Sequence, residues 1–375
     1  MMKKLSAVAT LAALCALAAP AAAQTKVELY GVLDGGLQYI DRADIGGVAQ
    51  DSTFGVSSGT FYGNRFGLRG SENLGGGVKA IFALENGFNL DTGKLGEDGN
   101  LFSRQAYLGL DSGMGKVAIG RLAALSSAYG DFDMSWQMDP FEGGMGDAGL
   151  SAFPMPWNVN NAAVYRSPDM KGLIVSGMYS FATDGKEQPG LDNNTRYAGV
   201  AANYAVGGLW SGLTYETITA VANSGIADQK ILKVAANYDF GMVKPFLAYA
   251  KGGDWQLGNN YQGGDLGTTA FDTDSYLVGF TAPLFKGLLR GSYQLLDGKA
   301  ANNAAGEKVE AERQVWSLGY TYDLSKRTTV YGVVSMSIGG QSFDKDDQAG
   351  YQMANLEGRS DYNRTMTSVG LKHSF

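Results

Sequence analysis

The residues that could do chemistry in this chain are a group of acids on one stretch and the arginines that precede it. Between Leu122 and Asn160 stand Asp131, Asp133, Asp139, Glu142 and Asp147, interleaved with Trp136, Pro140, Gly143, Gly144, Pro154, Pro156 and Trp157. Arg65, Arg104 and Arg121 come earlier, with Arg69 and Lys79 as further cationic candidates. Carboxylates facing guanidinium groups across a narrow waterway set up a transverse field, which aligns dipolar solutes and disfavours apolar ones. Arginine suits such a wall because it stays charged at any working pH and its planar fork keeps its geometry. Taken singly, each arginine could equally be a solvated side chain or a salt-bridge latch.

Other chemistries lack their residues. His373 is the single histidine and falls in an alternating strand at the C-terminus, so acid–base or triad catalysis has no central base. No GxGxxG or GxxxxGK pattern supports a nucleotide site. Asp344, Asp346 and Asp347 could bind calcium at a surface, but they lack a ligand spacing and read better as solvated loop charge. No catalytic residue, cofactor or metal site is expected.

Residues 1–23 read as a cleaved export signal. Lys3 and Lys4 precede an apolar run from Leu5 to Ala19, and Pro20 with Ala21, Ala22 and Ala23 completes a processing pattern. The run is short for a membrane anchor. Bulky Leu14 directly before Cys15 argues against a lipoprotein site. Removing residues 1–23 takes away the only cysteine, leaving a chain without disulfides or thiolate ligands. It also changes 30 basic residues to 28 against 37 acidic ones, a formal charge of 28 − 37 = −9, which argues against nucleic acid as a ligand.

The elements that must position these residues are strands. Only 18% charge with 54 glycines and 20 tyrosines suits a large barrel with aromatic girdles. Val27, Leu29, Leu33, Leu37 and Tyr39 share one face of residues 27–39, opposite Glu28, Asp34 and Gln38. Leu232, Val234, Ala236 and Tyr238 oppose Lys233 and Asn237 in the same way, and Trp316, Leu318, Tyr320 and Tyr322 oppose Ser317, Gly319, Thr321 and Asp323. The chain ends on TMTSVGLKHSF, which alternates to its last residue, Phe375.

The pattern predicts sixteen strands in an all-β, antiparallel transmembrane barrel over residues 24–375, with the second strand near 59–70 and the fourth near 101–111. An even count closes the sheet and removes its edges. Short turns alternate with longer loops, as expected for a periplasmic rim and an outward rim. A secreted β-helix or sandwich would lack this combination. The third long loop, 122–160, is far beyond an ordinary connection. Folded inward it narrows the bore and brings Asp131, Asp133, Asp139 and Glu142 opposite Arg65, Arg104 and Arg121; folded outward it is a surface loop.

The motifs resemble those of the Gram-negative general porins of β-proteobacteria. They are LYGVLDGGLQY at 29–39, NRFGLRGSENLGGGVKAIFALENGFNLDTG at 64–93, LFSRQAYLGLDSGMGKVAIGR at 101–121, DPFEGG at 139–144, NAAVYRSP at 161–168, LSKRTTVYG at 324–332 and the terminal GLKHSF. The resemblance implies a homotrimer in outer-membrane lipid and lipopolysaccharide, each barrel passing small hydrophilic solutes past an inward third loop. It places Arg65 and Arg104 at the constriction opposite the carboxylates near DPFEGG, and Arg121 matches more loosely. Where such porins often carry another basic residue after the loop, this chain has Asn158, with Arg166 further on, which leaves its ion selectivity open. A substrate-specific channel for sugars or organic acids is the competing reading, with Tyr129, Phe132, Trp136 and Phe141 either as a greasy track or as wall anchors. An outer-membrane barrel enzyme fits less well.

Overall fold

The structure, a computed structural model, describes residues 26–42, 52–97, 99–128, 130–255, 270–300, 310–340 and 362–375. The expected export signal, Tyr129 and the acids at 344–347 lie outside these residues. The strand segments are β1 (Lys26–Arg42), β2 (Thr53–Ser58), β3 (Arg65–Gly75), β4 (Val78–Gly87), β5 (Gln105–Ser112), β6 (Gly115–Ala123), β7 (Asn158–Arg166) and β8 (Leu173–Ser180). They continue as β9 (Arg196–Val206), β10 (Leu209–Thr219), β11 (Gln229–Tyr238), β12 (Lys244–Trp255), β13 (Phe271–Leu284), β14 (Gly287–Ala300), β15 (Glu310–Asp323), β16 (Thr328–Gly340) and β17 (Tyr362–Ser374).

All the pairings are antiparallel, each spanning strand beside its sequence neighbours, and β17 returns to β1 in register from Val32 opposite Ser374 to Arg42 opposite Arg364. Seventeen segments make sixteen spanning strands, because β2 and β3 lie end to end against the same strand. β3 pairs with Lys26 to Val32 of β1, and β2 pairs with Gly35 to Ile40. The second strand is therefore interrupted at residues 59–64, where the alternation of the sequence predicted an unbroken run from 59 to 70. Its first half, Thr53–Ser58, precedes the range expected from the sequence. The fourth strand begins at Gln105 rather than 101, and the third long connection runs from 124 to 157.

The face assignments read from the sequence hold. Trp316 and Leu318 are exposed on β15 while Arg313 and Ser317 are buried, and on β11 Val234 and Tyr238 are exposed while Lys233 and Asn237 are buried. An apolar outer face, a polar inner face and a closed hydrogen-bond ladder are what a hydrocarbon environment demands of a strand protein. The molecule is a sixteen-stranded antiparallel transmembrane β-barrel. His373 is exposed and its Nδ1 lies 2.9 Å from the Thr328 hydroxyl, consistent with an outward, interfacial position.

Candidate pore constriction

Three pieces of chain converge here: the inner face of β3–β5, the interruption at 59–64 and the connection 124–157. On the wall, Glu85 sits between two arginines. Its carboxylate accepts from Arg104 Nε at 2.5 Å, lies 3.7 Å from Arg65 Nε and accepts from the Tyr30 hydroxyl at 2.8 Å. Both arginine side chains keep 15% of their surface exposed. Period-two alternation puts Glu85 and Gln105 on one face, and pairing Glu85 with Gln105 across β4 and β5 brings the neighbouring Arg104 alongside.

The connection is held by the far wall. Leu125 N–H donates to the Tyr197 hydroxyl at 3.0 Å, and Tyr197 in turn donates to Glu216 at 2.5 Å. Lys233 Nζ donates to Ser126 O at 3.1 Å, and Asn237 donates to Gln137 O at 2.7 Å. Ser275 Oγ donates to Ala152 O at 2.6 Å and Gln294 to Ala148 O at 3.0 Å. Beneath these bonds Leu125, Phe132, Met138, Leu150 and Phe153 share an apolar cluster with Ile231, Phe246, Leu277 and Leu296. The connection ends in a charged clamp. Asp147, on a short 3₁₀ turn, accepts from Arg364 Nε at 2.8 Å and Arg313 Nη2 at 3.3 Å, with Ser337 Oγ at 3.3 Å. Burial alone would raise the Asp147 carboxyl, but the Arg364 and Arg313 charges outweigh it and hold the group below the usual carboxylate range.

The sequence-derived acids separate into different roles. Asp139 is buried and accepts from the Phe141 and Gly143 N–H groups at 2.7 and 2.8 Å, capping the turn. Burial pushes its carboxyl up to about 7 in spite of these bonds. Asp133 is also buried and accepts from Gly130 N–H. Asp131 and Glu142 are the two that meet solvent: Asp131 accepts from the Tyr107 hydroxyl at 2.8 Å, and Glu142 pairs with Arg290 at 3.0 Å and accepts from the Tyr62 hydroxyl. Left-handed backbone at Glu142 (φ 57°), Gly143 (φ 70°), Met145 (φ 61°) and Gly146 (φ 62°) turns the chain sharply at this point, a conformation the two glycines adopt without the steric cost that Glu142 and Met145 carry. Arg121 stands apart from Arg65 and Arg104, donating to Ser103 O at 2.6 Å, Asn160 Oδ1 at 2.7 Å and Glu97 at 2.7 Å.

Arg65, Arg104, Glu85, Asp131, Trp136 and Glu142 line one cavity. Trp136 and Glu142 also line a second one, whose other wall carries Arg166, Lys244 and Arg290. Of the loop aromatics singled out in the sequence, Phe132 and Phe141 are buried in apolar clusters, whereas Trp136 is exposed. Glu85, Tyr62, Arg290, Arg313 and Arg364 were missed. Each carried one signal, a polar side chain on the inner face of a strand or beside one, which says where it points but not what it meets.

A closed sixteen-stranded barrel with a charged, water-accessible interior defines an outer-membrane channel. The model of the Gram-negative porin family matches residues 9–339, and the chain belongs to that family. An outer membrane porin protein of Bordetella pertussis is 32% identical, the match covering 97% of this chain and 98% of that one. Outer membrane porin protein 32 of Delftia acidovorans is 30% identical over the full length of both. Among solved structures, an anion-selective porin from Comamonas acidovorans superposes with a TM-score of 0.70 at 25% identity, covering 94% of this chain and all of that one. The chain is a general diffusion channel of the outer membrane and not an enzyme.

Proposed function

We propose that residues 124–157 fold into the barrel as the constriction loop, and that solutes pass between this loop and the wall of β3–β5. The observation that carries this reading is the attachment of the loop to the inner face of the barrel, most of it to the far wall, with Asp131 also tied to Gln105 and Tyr107 of β5. Its bonds to Lys233, Asn237, Ser275, Gln294, Arg313 and Arg364 all reach the inner face of β11–β17. The opposite flank presents Asp131, Trp136 and Glu142 to the cavity that Arg65 and Arg104 also line. In this arrangement Arg65 and Arg104 supply the positive side of the field and Asp131 and Glu142 the negative side. Asp133 and Asp139 shape the loop, and Arg121 latches the rim.

The wall carries two arginines against one carboxylate, Glu85, and a structural relative is named for anion selectivity. Both favour a weak anion preference. The preference is weak because Asn158 stands where a further cation would strengthen it, its amide spent on Arg104 O. The protein works as a homotrimer surrounded by outer-membrane lipid and lipopolysaccharide, as the family resemblance implies, and residues 1–23 are removed on export.

Single-channel recording in a planar bilayer under a salt gradient tests this. The double variant Arg65→Ala/Arg104→Ala should conduct more and move its zero-current voltage toward cations. An unchanged zero-current voltage in folded double variant would sink the constriction assignment. The reading of a substrate-specific channel gains nothing from the buried Phe132 and Phe141, and flux rising linearly with solute concentration, without saturation, is the expected result.

A further inference from the structure

The interruption of the second strand has an organising residue. Asp34 is fully buried at the middle of β1, and one carboxylate oxygen accepts two successive backbone N–H groups, Phe61 and Tyr62, each at 2.6 Å. Its other oxygen accepts from the Tyr331 hydroxyl at 2.7 Å, reaching across the closing strands. The Asp34 backbone is engaged as well. Its carbonyl accepts from Gly59 N–H and from Asn64 Nδ2, both at 2.9 Å, and its N–H donates to Asn64 Oδ1. An uninterrupted β2–β3 would direct the N–H groups of residues 59–64 into the ladder with β1 or a neighbour. Here a side chain takes their place, and backbone donors left without it would be buried and unpaired.

The segment held in this way reaches both sides of the constriction. Phe61 packs in the cluster that contains Phe141 and Met145 of the loop, Tyr62 donates to Glu142, and Arg65 follows directly as the first residue of β3. Lys372 of β17 lies over the rings of Tyr62 and Phe61, at 4.8 and 5.3 Å. Gly144 of the loop lies so close to Phe61 O that any side chain there would collide with it.

We propose that Asp34 is a positioning residue for ion selection: by replacing the missing ladder it fixes segment 59–64 between wall and loop, and through it the placement of Arg65 and of the Tyr62–Glu142 contact. This rests on the constriction reading above. Asp34 itself is shut off from the bore, so it acts through geometry and not through its own charge.

The test compares Asp34→Ala with Asp34→Asn in the full-length protein, recorded in planar bilayers under a salt gradient beside wild type and Arg65→Ala/Arg104→Ala. An asparagine can present its oxygen to the Phe61 and Tyr62 N–H groups, whereas alanine removes every acceptor. The expected result is a higher conductance and a zero-current voltage moved toward cations for Asp34→Ala, with Asp34→Asn close to wild type. A move toward anions shared by both variants would show that Asp34 acts through its charge and would overturn the proposal, as would wild-type behaviour of folded Asp34→Ala. If Asp34→Ala does not assemble, Asn64→Ala removes the second set of bonds that fixes segment 59–64, those to the Asp34 backbone, and must give a shift in the same direction. If the double arginine variant shifts and neither tether variant does, the positioning role alone fails; if no variant shifts, the constriction reading fails with it.

Discussion

Glu85 and Asp147 are single carboxylates that each serve two arginines, in opposite circumstances. Glu85 faces a cavity, so neutralising it changes the field more than the fold. Glu85→Gln should remove the carboxylate that Arg65 and Arg104 share and move the zero-current voltage toward anions, measured in the same bilayer experiment. Asp147 is buried with its partners. Its removal takes an anion away from two buried guanidinium groups, and breaking a buried pair costs about 3–5 kcal/mol. Asp147→Ala should lower the temperature at which the native form converts to the unfolded form on heat-modifiability gels. Neither role was legible in the sequence. Alternation alone told that Glu85 and Arg313 point inward, but Asp147 meets Arg313 and Arg364 across 166 and 217 residues, a relation that no local pattern encodes.

At the scale of elements, period two made the strands legible because one face of each meets hydrocarbon and the other water. The interrupted second strand was the exception. Phe66 and Leu68 continue the outward alternation of the residues before them, and nothing in the run Gly59–Asn64 announces that Asp34, thirty positions earlier than Asn64, will take over its hydrogen bonds. The extent of the third loop was legible within a few residues, while its attachment was not, since the groups that receive it are spread over β9–β17. Gly144→Ala should disturb both elements together by forcing the loop off Phe61, seen as altered conductance with no loss of strand content by circular dichroism. Acid should free the loop three residues further on, at Asp147. The Asp147 carboxyl is held below its ordinary value of 3.8, so its stabilisation is complete above that pH and is lost as the pH falls through the lower folded value. The contribution of this clamp to current noise should therefore set in below about pH 4, separate from the titration of Asp139 near pH 7.

At the scale of the whole molecule, closure rests on the seam between β1 and β17. Phe375 completes it: its N–H donates to Gly31 O at 3.1 Å, Gly31 N–H donates to its carbonyl at 3.2 Å, and its ring lies against Gly31. Deleting Phe375 should impair assembly in the outer membrane, and heat-modifiable trimers at wild-type yield from the deletion would count against this. The closed, alternating architecture was the most legible level of all, because it follows from one physical demand, that no backbone donor faces lipid unpaired.

The clamp on Asp147 also sets an order of events in time. Arg313 belongs to β15 and Arg364 to β17, so the loop cannot complete its attachment until the last hairpin of the chain has arrived. Contacts of such long sequence separation are slow to form. The loop thus completes its attachment late in folding, and a barrel caught before its final strand docks would be an unsealed sheet whose loop lacks its Arg364 anchor. On the proposed constriction reading, sealing the wall and seating the loop finish together.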